Sequence, residues 1–356
     1  MNRSTPTGDE GRGLYKQLLR DERRHQFYSR ALGWVMALLL AAIFVLGLMA
    51  AIKQAPGQPD CRDASGPSPQ AIAPIRLELS REPTDVRLLL RGPHAVVYPT
   101  TRPYAEAMCV EARIARHREL LGLDGAVFIP LYLLLGLAAL AWHYVLALRS
   151  RGCDRARRDR VPHALIAWLV ASAAVLGVTA WLDAAENSAA HAVLDLAAGG
   201  LATSDIDTAD WRAAVTAAHD ASVAKWAALA AWAATLAMLA GLRRRSLSLP
   251  RGSERRRRWS SGIAWLMLVS ALVATVTLGA GAALAGGAGA EPANAFARVL
   301  LGIGFAAVFG HAGVLFVLHR LHLPPRLVLL SPPDAPPGVE RRSTRRRRTD
   351  PPVRDR

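Results

Sequence analysis

The sequence predicts an all-α integral membrane protein: a six-helix transmembrane bundle with a small external α/β cap. Two observations carry this. Although 20% of the 356 residues are charged, they are segregated from long apolar blocks rather than mixed with them. Of the 44 Lys and Arg, 31 fall in every second segment between those blocks: 1–30, 149–162, 243–258 and 319–356. The remaining segments are net acidic.

Six blocks are long enough to cross a membrane: 31–51, 126–148, 161–182, 223–242, 260–284 and 295–318. A helix of ~20 residues spans the ~30 Å hydrocarbon layer at ~1.5 Å per residue. Lipid offers no hydrogen-bond partner, so each block must be helical. By the positive-inside rule the arginine-rich segments face the cytoplasm. Six alternating spans then place both termini there, and the expected location is a bacterial inner membrane. The first block is too long for a cleaved leader and reads as a retained anchor.

Taken in order, 1–30 is a charged cytoplasmic segment. Within it, residues 13–30 suit a helix on the membrane surface. Residues 52–124 form the external cap. "IRLEL" (75–79), "DVRLLLRG" (85–92) and "HAVVYPT" (94–100) read as strands, from apolar–polar alternation and β-branched content. "PYAEAMCVEARIARHRELLGLD" (103–124) reads as a helix leading into the second span. Cys61 and Cys109 share this external segment, where a disulfide can persist, and their pairing is expected to stabilise the cap. Residues 183–222 form an external acidic loop with a short helix over 188–200 and N-capping residues in "TSDIDTAD" (203–210). Lys225, at the start of the fourth span, reads as a snorkelling residue. The small residues Gly302, Ala306 and Gly310 recur every fourth position of the sixth span and are expected to pack inside the bundle. Trp34, Trp142, Trp181, Trp226 and Trp259 read as interfacial anchors. The tail, 319–356, is Pro- and Arg-rich with little to bury, and is expected to be disordered and cytoplasmic.

The arginine runs adjoin membrane spans and accompany no nucleic-acid motif. The expected partners are therefore the bilayer and anionic lipid headgroups rather than nucleic acid.

"WLDAAENSAAH" (181–191) concentrates polar chemistry at the exit of the third span. Asp183, Glu186 and Asn187 stand at i, i+3 and i+4 and share a helix face. Asp124 and Tyr132 enter from the same side on the second span, with Pro130 positioned to kink it. These five are the candidate site residues. Asp183, Glu186 and His191 are candidate ligands for a divalent metal. Buried carboxylates need a proton, a cation or an arginine; Arg298 and Arg118 are the arginines on that side. His311, within the sixth span, is expected to hydrogen-bond a neighbouring helix. No H-E-x-x-H, G-x-S-x-G or Walker motif occurs.

"LGLDGAVFIPLY" (121–132) contains L-D-x-x-x-F-x-x-x-Y, and D-x-x-E-N (183–187) follows after a basic loop. Over about 75–190 the chain resembles a loose group of bacterial polytopic membrane proteins that share these two patterns. The group has no assigned activity, so the resemblance adds weight to the five residues as a set and gives them no reaction. Three functions fit the sequence: a structural or interaction role in the envelope, a membrane enzyme acting on a lipid or amphiphile at the acidic cluster, and a proton-coupled carrier.

Overall fold

Six long apolar helices make the chain a multi-pass membrane protein. The computed structural model describes residues 33–52, 62–63, 66–67, 74–91, 103–150, 163–200, 208–247, 254–287 and 291–322. Helix α1 is Gly33–Ile52. Two short cap helices follow, α2 (Pro74–Glu78) and α3 (Pro83–Arg91). The second span is one rod: α4 (Pro103–Leu123), a π-helical turn (Asp124–Phe128) and α5 (Ile129–Ser150). The remaining spans are α6 (His163–Gly200), α7 (Ala209–Leu247), α8 (Glu254–Gly286) and α9 (Glu291–His322). Phe44, Leu134, Val170, Met238, Val276 and Ile303, one from each span, are exposed on the bundle surface. That is where a membrane protein meets lipid.

Its described residues make the cap mainly helical, which does not support the α/β expectation. Residues 75–78 and 85–91, expected as strands, lie in α2 and α3. Among the described residues, extended pairing is confined to Arg62–Asp63 with Gly66–Pro67, two residues a side. Alternation over five residues does not separate a strand from one helical turn, and the capping chemistry decides. Pro74 and Pro83 each open a helix at the position where a missing N–H costs nothing. Asp85 accepts the backbone N–H groups of Arg81 and Glu82, both at 3.2 Å, as the third residue of a capping box does. Val86 and Leu90, four apart, then face inward. The surface helix at 13–30, the strand at 94–100, Cys61 of the expected disulfide and the tail beyond 322 lie outside the described residues.

The third span runs on past its expected end. Nothing between Leu182 and Gly199 breaks a helix, so the helix expected over 188–200 is continuous with that span in α6. Thr208 caps α7, its Oγ1 accepting from the N–H of Trp211 at 3.4 Å. These extensions build a second core. Val193, Leu194, Trp211 and Val215 pack with Leu77, Val86, Leu90, Val110 and Ile114 of the cap helices. The membrane core is separate, with Leu140, Leu176, Trp232, Leu236, Leu278 and Leu301 among its members. A third cluster joins Ala42 and Val45 of α1 to Phe128, flanked by Phe305 and Phe309.

Close approach between helices is set by other glycines than expected. Gly302 and Gly310 are exposed, and a Cβ on either would meet no atom within 4 Å, so that stripe does not pack inside the bundle. Gly304 does pack: a Cβ there would lie 2.5 Å from Leu278. Gly136 on α5 is equally tight, with Leu176 at 2.5 Å and Trp232 at 3.1 Å from the same imagined atom. Trp142 and Trp226, expected at the interface, are buried in the bundle, while Trp34 and Trp181 are exposed.

Gly136→Ala therefore overpacks a fully buried Leu176 and should destabilise the bundle by about 1–3 kcal/mol. Gly177→Ala, whose added methyl meets nothing within 4 Å, should leave stability unchanged or raise it. Thermal unfolding of both variants in detergent checks the pair.

Candidate functional site

Where the membrane core meets the cap core, polar side chains from four elements converge. Asp183, Glu186 and Asn187 occupy one buried face of α6. Tyr132 on α5 donates its hydroxyl to Asp183 Oδ2 at 2.9 Å. The Asn187 amide donates to Asp124 Oδ2 at 2.7 Å. The five sequence candidates thus lie together.

The π turn makes this possible. Eight steps of unbroken α-helix would leave Asp124 and Tyr132 about 80° apart around the axis. A π turn absorbs one extra residue, roughly one 100° step, and brings them to within about 20°. Its position follows from Pro130, which has no N–H to donate and whose ring crowds the carbonyl four residues back. Ile129 N–H bonds to Asp124 O in the wide i→i+5 pattern.

The counter-charge is Lys225, not an arginine. Its Nζ lies 3.1 Å from Asp183 Oδ1 and 3.5 Å from Glu78 Oε2, and it also pairs with Glu186 Oε2. It lies 4.8 Å from the ring centroid of Trp226. Only 8% of Lys225 and none of Glu186 is exposed, so these charges have little water to share. Arg118 pairs instead with Asp195 in an exposed bridge, and Arg298 has no ion-pair partner among the described residues. Two members of the site escaped the sequence reading. Lys225 carried a signal, since it is an isolated cation in an Ala-rich span, and buried lysines there are paired. Glu78 carried none, because strand alternation placed it on the solvent side of the expected cap.

His191 stands apart from the cluster, half-buried on α6 beside Ala190 of the cap core. Among the described residues no three His, Cys, Asp or Glu side chains are arranged to hold a metal. The expected set of Asp183, Glu186 and His191 is therefore not assembled; the Lys225 ammonium lies against both carboxylates instead. Four carboxylates (Glu78, Asp124, Asp183 and Glu186) face this one ammonium. The charge left over must be met by protons, neutral donors or a further cation. Tyr132 and Asn187 supply two of the donors.

A cavity of about 380 Å³ opens from this cluster into the bundle. Glu78, Asp124, Tyr132, Asp183, Asn187 and Lys225 line its polar end. Its body is apolar, walled by residues such as Phe128, Leu135, Trp232, Leu236 and Phe305, and it reaches His311. Phe305 packs edge-on against Phe309 with ring centroids 5.0 Å apart, and Phe128 lies 6.0 Å from Phe305. His311 donates Nδ1–H to the Met267 carbonyl of α8 at 2.9 Å and stacks on His143 with centroids 6.0 Å apart. A carbonyl only accepts, so this bond fixes the tautomer and leaves the lone pair on Nε2.

No family model, curated protein or solved structure matches this chain.

Breaking a buried pair by removing one partner costs about 3–5 kcal/mol. Lys225→Met should lose stability on that scale. Adding Glu78→Gln, Asp183→Asn and Glu186→Gln to it should restore part of the loss. Arg118→Met, which removes an exposed pair, should change stability by under about 1 kcal/mol. Unfolding midpoints of the three proteins in one detergent test the order.

Proposed function

We propose that the protein binds an amphiphile within the membrane, with its polar head at the Lys225 cluster and its chain in the apolar cavity. One observation carries this reading: a single cavity joins a charged, hydrogen-bonding end to a long apolar body. Ligand sites of 300–1,000 Å³ with apolar walls and a few convergent polar groups are the usual form of small-molecule recognition. Tyr132, Asp124 and Asp183 line the head end and are groups able to donate or accept protons, so the site also suits a membrane enzyme that acts on the amphiphile. The charge pattern of the sequence supports a cap outside the cell, both termini in the cytoplasm, and binding from the outer leaflet of a bacterial inner membrane.

A structural role is the second reading, and the ion pairs favour it. Lys225 ties α7 to α6 and to cap helix α2.

Gly302→Trp separates the two. Gly302, exposed on α9, borders the cavity, and a Cβ there would meet no atom within 4 Å, so an indole can be placed at the cavity's edge to obstruct it with no clash at Cβ. The wild-type protein, purified from native membranes and extracted, should yield an amphiphile near one per chain by mass spectrometry. The variant should lose most of it at an unchanged unfolding temperature. Equal amphiphile content in both proteins would leave the structural reading alone.

A further inference from the structure

Resting on that reading, we infer that the ligand is a single-chain amphiphile with an ammonium head, held at Asp124. Two features of the site argue for this.

The first is charge. Lys225 neutralises one of four carboxylates, and its ion pairs are with Glu78, Asp183 and Glu186. Asp124 has no ion-pair partner among the described residues. It is only half-buried, it lines the cavity, and it accepts one hydrogen bond, from Asn187. An anionic head would face a surplus of negative charge at close range. A neutral head would add a donor but no charge. An ammonium supplies both at the one carboxylate that lacks a cation, and charge-assisted hydrogen bonds are about twice as strong as neutral ones.

The second is size. An apolar cavity of about 150 Å³ accepts benzene, with its six carbons. At the same packing, about 380 Å³ accommodates about fifteen non-hydrogen atoms. Along α7 the lining runs from Lys225 to Leu236, about 16 Å of helix. One alkyl chain fits these dimensions; a two-chain phospholipid has more than twice as many atoms.

The test uses the full-length chain in phosphatidylcholine nanodiscs and three probes that share a chain and differ in head: tetradecylamine, tetradecanol and tetradecanoate. Native mass spectrometry counts adducts on the released protein. The amine should bind at one per chain and about tenfold or more tighter than the other two. Asp124→Asn should bring the amine down to the level of the alcohol, while Asp124→Glu keeps the preference. If alcohol or acid binds wild type as tightly as amine does, the ammonium assignment is overturned and the amphiphile reading stands. If none of the three gives a one-per-chain adduct, both fall. The comparison of heads on the wild-type protein needs no variant to fold.

Discussion

A lysine ammonium almost without water must be paired, and this requirement organises the junction between cap and bundle. Lys225 lies between two hydrophobic cores, with Ala218 of the cap core one side along α7 and Trp226 of the membrane core on the other. Its partners come from α2 and from α6, so the cap segment cannot drift from the bundle without stripping a counter-ion from a buried charge. Arg81 reinforces the same junction. Its guanidinium donates to the carbonyls of Ala285 and Gly287, where α8 ends and its last carbonyls have no helical partner. Electrostatics thus decides where α2 sits, while the packing of Leu77, Val86 and Leu90 decides how firmly it is held.

The cluster serves two demands that pull against each other. A lock is best when every oxygen is satisfied from within. A binding site needs some capacity left over. The division here is spatial. Glu78, Asp183 and Glu186 are committed to Lys225, and Tyr132 takes the other oxygen of Asp183. Asp124, across the π turn, makes one neutral hydrogen bond and faces the cavity. Locking and recognition are thus assigned to different carboxylates of one group.

The membrane spans were legible because their signal is physical and long-range: no soluble core needs six apolar runs of that length. The D-x-x-E-N face was legible because i, i+3, i+4 spacing leaves no choice of direction on a helix. The cap was not. "IRLEL" and "DVRLLLRG" are too short for periodicity to discriminate, and the decisive signals, Pro83 and Asp85 at the first turn of a helix, were outweighed by β-branched and apolar content. The join between the third span and the helix over 188–200 is illegible for a related reason, whereas the start of α7 is legible from the N-capping residues at 203–210. Alanine-rich helix continues as readily beyond the membrane as within it, and a drop in hydropathy is not a break in structure. Lys225 was misjudged by location. At the edge of a span a lysine can reach water, and only its tertiary neighbours, one of them 147 residues earlier at Glu78, show that it turns inward. The glycine stripe of α9 illustrates the limit of spacing arguments. Regular small residues indicate a smooth surface but not which way it faces, and Gly304, off that stripe, makes the close contact.

All four carboxylates precede Lys225 in the chain. During synthesis, a polypeptide halted before α7 holds four acids at the membrane boundary with none of the cation that will later offset them. Inserting an isolated lysine within a span is itself unfavourable, by up to about 2.5–3.5 kcal/mol at the helix centre on biological insertion scales. Because Asp183 and Glu186 sit on the adjoining arm of the same hairpin, α6 and α7 can enter together as a neutralised unit. Biogenesis then has a built-in completion step, in which the fourth span brings the ammonium to carboxylates already in place on the cap and on the third span.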